Sequence, residues 1–166
     1  MPSDLEKVST ILDKAIETEQ EGLRVYEEAT AKVKDPEAKE IFELLARAER
    51  GHIEMLEEVK ASEVATHSNH EWQGNFKAEI TREIEKIGRL VVPEIGDKAV
   101  DTTALEAINI GIELEKKSIE FYTNAREQVS ELGVGNLFRL LISAERTHQF
   151  FLEIKRDAIV YGTSLE

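Results

Sequence analysis

Four residues recur in register along this chain. Glu19, Tyr26, Glu49 and His52 reappear as Glu115, Tyr122, Glu145 and His148, each copy 96 residues after the first. Glu49 stands three residues before His52, and Glu145 three before His148. On a helix that spacing places both side chains on one face, so one helix offers two ligands to one centre. Four carboxylates and two neutral imidazoles carry four negative charges, which two divalent cations cancel. Oxygen-rich sites with a few imidazoles suit iron or manganese better than structural zinc. A single Glu-x-x-His pair means little in a chain with 28 glutamates. The common offset, the matching tyrosines and the seam positions described next point to a dinuclear metal site.

The elements that must position these groups are helices. Alternate steps of three and four trace an apolar seam along each. The first seam reads Leu5, Val8, Leu12, Ala15, Glu19, Gly22, Tyr26, Ala29, Val33, and the second Ala38, Phe42, Leu45, Glu49, His52, Leu56, Val59. The third reads Ala104, Ile108, Gly111, Glu115, Ser118, Tyr122, Ala125, Val129, and the fourth Val134, Phe138, Leu141, Glu145, His148, Leu152. The charged residues at mid-seam are the motif residues themselves. A lone carboxylate in such a seam is strongly unfavourable, and four at one level repel one another unless protonated or neutralised. Gly22, Gly111, Ser118, Ala29 and Ala125 leave room around them.

Ser3 caps a first helix expected over 3–34, and Asp35-Pro36 starts a second that runs to about Ser62. A third begins after Asp101, Thr102 or Thr103 and ends near Glu131. A fourth follows Leu132-Gly133 and reaches Tyr161-Gly162. Short links make each pair antiparallel. Between the pairs lies a crossover, 63–101, long for a structureless loop. It contains a short amphipathic segment with Phe76, Ile80, Ile84 and Ile87 on one face, then Leu90-Val91-Val92-Pro93. Such a connection can carry the chain back along the bundle and leave the second and third long helices parallel; it could equally mediate dimerisation or a domain swap. The expected architecture is all-α: one domain over 1–166, a four-helix bundle of two antiparallel pairs.

The chain of 166 residues has no cysteine, which removes disulfides, iron–sulfur ligation and rubredoxin-type iron from consideration. Its net charge of −13 disfavours nucleic acid and anionic membranes as partners. The start of the chain has no basic, apolar leader, and no run approaches the ~20 apolar residues that span a bilayer. The expected location is the cytoplasm.

At the repeated motif, and in Phe42-x-Leu-Leu-x-x-Ala-Glu-Arg-x-His52 against Phe138-x-Leu-Leu-x-x-Ala-Glu-Arg-x-His148, the chain resembles the ferritin-like di-iron carboxylate superfamily, and within it the rubrerythrin-type domain. The resemblance implies two iron ions per chain, with manganese or zinc as isolated alternatives. Glu49 and Glu145 would bridge the metals, Glu19 and Glu115 would be terminal ligands, and His52 and His148 would each cap one. Tyr26 and Tyr122 would hydrogen-bond and orient ligand carboxylates. Three departures stand out. Ser118 replaces the extra glutamate that rubrerythrins carry on this helix, a rubredoxin domain is absent, and the chain ends without the fifth helix of ferritin cages. Arg50 after Glu49 also leaves no methionine for bacterioferritin-type haem binding.

The implied function is reduction of hydrogen peroxide in oxidative-stress defence, with electrons from an external donor such as rubredoxin or a reductase. The alternatives are a ferroxidase or iron-handling protein acting on dioxygen without rapid turnover, and a bundle that uses metal only for stability. A homodimer is expected. His67 and His70, beside Trp72, are read as a solvated loop rather than a second metal site. Glu17, Glu21, Glu113 and Glu120 are read as surface charges, and Arg50 and Arg146 as structural partners of acidic neighbours.

Overall fold

Five helices and no strand make up the described part of the chain. The computed structural model describes residues 1, 3–65, 72–90, 101–129 and 134–162. Helix α1 spans Asp4–Lys32, α2 Pro36–Ala65, α3 Trp72–Leu90, α4 Thr102–Gln128 and α5 Gly135–Tyr161. Ser3 opens α1 with a capping box: its hydroxyl accepts from the Glu6 N–H at 3.3 Å, and the Glu6 carboxylate accepts from the Ser3 N–H at 2.7 Å. Asp35 starts α2 by accepting from the Ala38 N–H at 2.7 Å, with Pro36 at the first helical position, where its missing N–H costs nothing.

Asp101 sets the topology. Its Oδ1 accepts from the N–H groups of Thr103 and Ala104 and caps α4; its Oδ2 accepts from those of Lys34 and Asp35 at 3.2 and 3.1 Å. The start of α4 is thereby pinned to the α1–α2 link, which makes α4 antiparallel to α1 and parallel to α2. Near the far end of α5, Lys155 reaches the same link, 2.7 Å from Glu37 and 3.5 Å from Asp35. Helices α2 and α5 therefore run antiparallel, and the crossover has the topological role expected of it.

The amphipathic crossover segment is a 19-residue helix, about 28 Å long at the standard rise. It packs against α2 and α5. The third long helix stops at Gln128, short of the end expected near Glu131, because Val129 leaves helical geometry and its N–H turns back to the Arg126 carbonyl. His67, His70 and Val91-Val92-Pro93 lie outside the described residues. Among the described residues no helix is long and apolar enough to cross a membrane.

Two apolar clusters fill the bundle. One gathers Leu12, Leu56, Val59, Tyr122, Phe138 and Leu141 with Phe76 and Ile80 of α3. The other gathers Tyr26, Phe42, Leu45, Ile108 and Leu152 with Ile87 of α3. The repeated carboxylates and imidazoles form the layer between them.

Candidate metal centre

All six ligand candidates are buried. Glu19, Glu49, Glu115 and Glu145 are 1–2% exposed, and His52 and His148 are fully enclosed. They sit at mid-helix on α1, α2, α4 and α5, where good helix formers on either side hold the backbone and the seam aims them inward.

Their atoms form two overlapping groups. Glu19, Glu49, His52 and Glu145 bring one ligand atom each within 4.8 Å of one another, and so do Glu49, Glu115, Glu145 and His148. Glu49 and Glu145 belong to both groups; Glu19 and His52 belong to one, Glu115 and His148 to the other. The His52 Nδ1 lies 3.3 Å from Glu19 Oε2, 3.3 Å from Glu145 Oε1 and 3.5 Å from Glu49 Oε2. The His148 Nδ1 lies 2.9 Å from Glu145 Oε2, 3.5 Å from Glu115 Oε1 and 3.8 Å from Glu49 Oε1. Two shared and two private carboxylates, with one imidazole per group, is the arrangement that suits a pair of metal ions with bridging and terminal ligands.

The tyrosines connect the halves crosswise. Tyr26 of α1 donates to Glu115 of α4, and Tyr122 of α4 donates to Glu19 of α1. Each phenol is buried against a phenylalanine of its own helix pair, Tyr26 on Phe42 and Tyr122 on Phe138, with centroids 6.0 and 5.8 Å apart. That packing fixes the ring, and the ring fixes the carboxylate. Two glycines make the space. A Cβ on Gly22 would stand 3.2 Å from the Glu49 carboxyl carbon and Oε1, and one on Gly111 would stand 3.2 Å from the Tyr26 ring.

One further carboxylate belongs to the cluster and was not singled out in the sequence. Glu83 of α3 places Oε1 2.7 Å from His148 Nε2 and Oε2 3.0 Å from His52 Nε2. A signal existed: Phe76, Ile80, Glu83 and Ile87 follow steps of four, three and four, so Glu83 interrupts the α3 seam as the other glutamates interrupt theirs. Reading Ile84 as the seam residue hid it.

The charges are mutually dependent. Burial pushes the Glu49 carboxyl well above its usual range, and the neighbouring Glu19 and Glu145 add to the rise. Burial and Glu145 raise Glu115 to about 8. For Glu145 burial also favours the neutral acid, but the adjacent His148 and His52 outweigh it and hold the group well below the usual carboxylate range. Burial alone would depress both imidazoles. The charges of Glu83 and Glu19 for His52, and of Glu145 and Glu115 for His148, raise them instead. Glu83 falls to about 2: burial opposes ionisation there and the two imidazoles overcome it. Burial, then the facing Glu115 and Glu19, raise Tyr26 and Tyr122 well above the usual phenol value, so both stay protonated donors.

Protons alone satisfy this layer poorly. Among the described residues, Glu115 Oε2, both Glu145 oxygens and His148 Nδ1 are buried and find no partner in hydrogen-bond geometry, the 2.9 Å approach of His148 Nδ1 to Glu145 Oε2 included. Such orphaned groups cost about 1–3 kcal/mol each. All four atoms belong to the ligand groups, and cations between the groups would supply the missing partners, so the residues present fit a metal pair.

The neighbours read as surface residues behave as such. Glu21 pairs with Arg24 and Glu113 with Lys116 on exposed faces, while Glu17 and Glu120 are exposed. Arg50 pairs with Glu27 of α1 across the surface, and Arg146 makes no ion pair among the described residues.

An all-helical bundle around a buried carboxylate–imidazole layer defines a protein of the ferritin-like superfamily. The chain belongs to the rubrerythrin family, whose model matches residues 10–154. The family is one of di-iron carboxylate proteins. No curated protein and no solved structure shows significant similarity to the chain.

Proposed function

We propose that the protein is a non-haem peroxidase that holds two iron ions and reduces hydrogen peroxide with electrons from a separate donor protein. The observation that carries this reading is the pair of four-residue ligand groups sharing Glu49 and Glu145. Glu19 and His52 complete one iron position, Glu115 and His148 the other. Two ferrous ions would supply the two electrons that cleavage of the peroxide bond consumes. The chain's residues do the rest. Tyr26 and Tyr122 hold the terminal carboxylates in place from the opposite helix pair. The apolar clusters on either side exclude bulk water, and the shared carboxylates can redistribute their oxygens as charge changes.

A donor such as rubredoxin or a reductase restores the reduced state. The expected setting is a cytoplasmic homodimer without nucleic-acid or membrane partners. The second reading, a ferroxidase or iron-handling protein, is favoured by Ser118. This residue is buried on α4 where rubrerythrins carry an additional glutamate. Anaerobic Fe(II) loading followed by rapid mixing with peroxide and, separately, with dioxygen tests the choice. Faster oxidation by peroxide supports the peroxidase; faster oxidation by dioxygen supports the ferroxidase.

A further inference from the structure

Glu83 is the cluster carboxylate supplied by α3, the crossover helix. The other groups come in pairs 96 residues apart, on the four long helices. The Glu83 carboxylate serves both halves, one oxygen to each imidazole. Both rings turn Nδ1 toward the ligand carboxylates and Nε2 toward Glu83, and they stack at 5.6 Å between centroids, 9° from parallel. A carboxylate only accepts, so each Nε2 must carry a hydrogen to bond it, and once a metal displaces the second proton the neutral ring has its free lone pair on Nδ1. Phe76, Ile80 and Ile87 bury the same face of α3 in both apolar clusters, so the residue is held from both sides.

We propose that Glu83 is the shared positioning residue of the metal centre: from the crossover helix it fixes Nδ1 of both His52 and His148 as the metal-facing atoms, and so ties the docking of α3 to metal loading. The proposal rests on the metal-centre reading above. It has a specific consequence. Glutamine at this position keeps the shape but accepts on one side only. Its amide N–H2 faces the second Nε2–H, donor against donor, and that imidazole gains by moving its hydrogen to Nδ1. Glu83→Gln therefore impairs one metal position, while Glu83→Ala releases both rings. Loss of such an outer partner costs about 10–100-fold in metal affinity. Coupling is reciprocal, so metal loading must in turn hold α3 down.

The experiment is a Zn(II) titration of wild type, Glu83→Gln and Glu83→Ala by calorimetry. Long-range proton–nitrogen spectra of the imidazoles and amide exchange across α3 accompany it, and circular dichroism confirms the fold. Wild type is expected to bind two ions, to show both rings with hydrogen on Nε2, and to gain protection in α3 on loading. Glu83→Gln is expected to keep one site, weaken the other 10–100-fold, and lose the gain in α3 protection. Two wild-type-like sites and unchanged ring tautomers in Glu83→Gln would overturn the role of Glu83 and leave the metal centre standing. Fewer than two ions in wild type would overturn the metal-centre reading and this proposal with it.

Discussion

His52 and His148 stack face to face at the centre of the bundle, 5.6 Å apart between centroids, with their Nδ1 edges in the carboxylate layer and their Nε2 edges on Glu83. Each ring comes from a different half of the internal repeat, so the halves meet at the functional layer. Prediction follows from which residues each ring shares and which it keeps. His52→Ala removes a ligand of one group only and is expected to leave about one metal ion per chain. Glu49→Ala removes a carboxylate common to both groups and is expected to weaken both ions together. Elemental analysis after gel filtration distinguishes the two patterns.

The crossed tyrosines give a second pair of outcomes. Tyr122→Phe deprives Glu19 of its donor, and Tyr26→Phe deprives Glu115. Each substitution is expected to destabilise the fold by about 1–3 kcal/mol, the cost of a buried acceptor left unmet. Each should weaken a different metal ion, the one capped by His52 for Tyr122→Phe and by His148 for Tyr26→Phe. Urea denaturation reads the first effect, and titration of the two single variants against the His52→Ala background reads the second.

Gly22 and Gly51 should respond with opposite signs to alanine. At Gly22 the new methyl meets the Glu49 carboxylate at 3.2 Å, whereas at Gly51 it meets nothing within 4 Å. Gly51→Ala is expected to stabilise by about 0.4–1 kcal/mol through helix propensity and loss of unfolded-chain freedom. Gly22→Ala is expected to displace Glu49 and lower metal affinity despite the same gain in propensity. Thermal melts with and without metal check both.

The metal-free protein should lose stability as pH rises. Glu115, raised to about 8, and Glu49, His52 and His148, also raised, stabilise the fold while protonated. That contribution is complete below their unfolded values and disappears as pH climbs through the folded ones. Glu83, lowered to about 2, and Glu145, also lowered, act oppositely: their contribution is present above the unfolded carboxylate value and is lost only in acid. A lower melting temperature at pH 9 than at pH 6 is expected for the apo form. Bound metal displaces the same protons, so loading should release protons near neutrality and abolish the alkaline loss. Calorimetry in buffers of different ionisation enthalpy measures the release.

Much of this was legible in the residues because buried charge is costly and therefore conspicuous. Glu19, Glu49, Glu115 and Glu145 break apolar seams at one level, and the bundle brings them to one layer. Asp35-Pro36 marked the α2 start for the local reason that a side-chain acceptor and an N–H-free residue suit a helix N-terminus. Asp101 stood among three possible caps, and its selection depends on a tertiary contact, the bonds to Lys34 and Asp35. Glu83 was hidden for a related reason. Repetition exposed the other ligands, but Glu83 lies on the crossover helix, outside the repeated motif, and Ile84 next to it offers an equally apolar-looking seam. Where α4 ends depends on the turn at Val129, whose place in the apolar seam reads the same whether the helix continues or stops there.

The central claim is that this layer holds two metal ions per chain between shared carboxylates. Anaerobic Fe(II) titration of the metal-free protein tests it most directly. Saturation at two ions per chain is the predicted result, reduced to one in His52→Ala. Saturation at one ion or none in the intact protein would contradict the account.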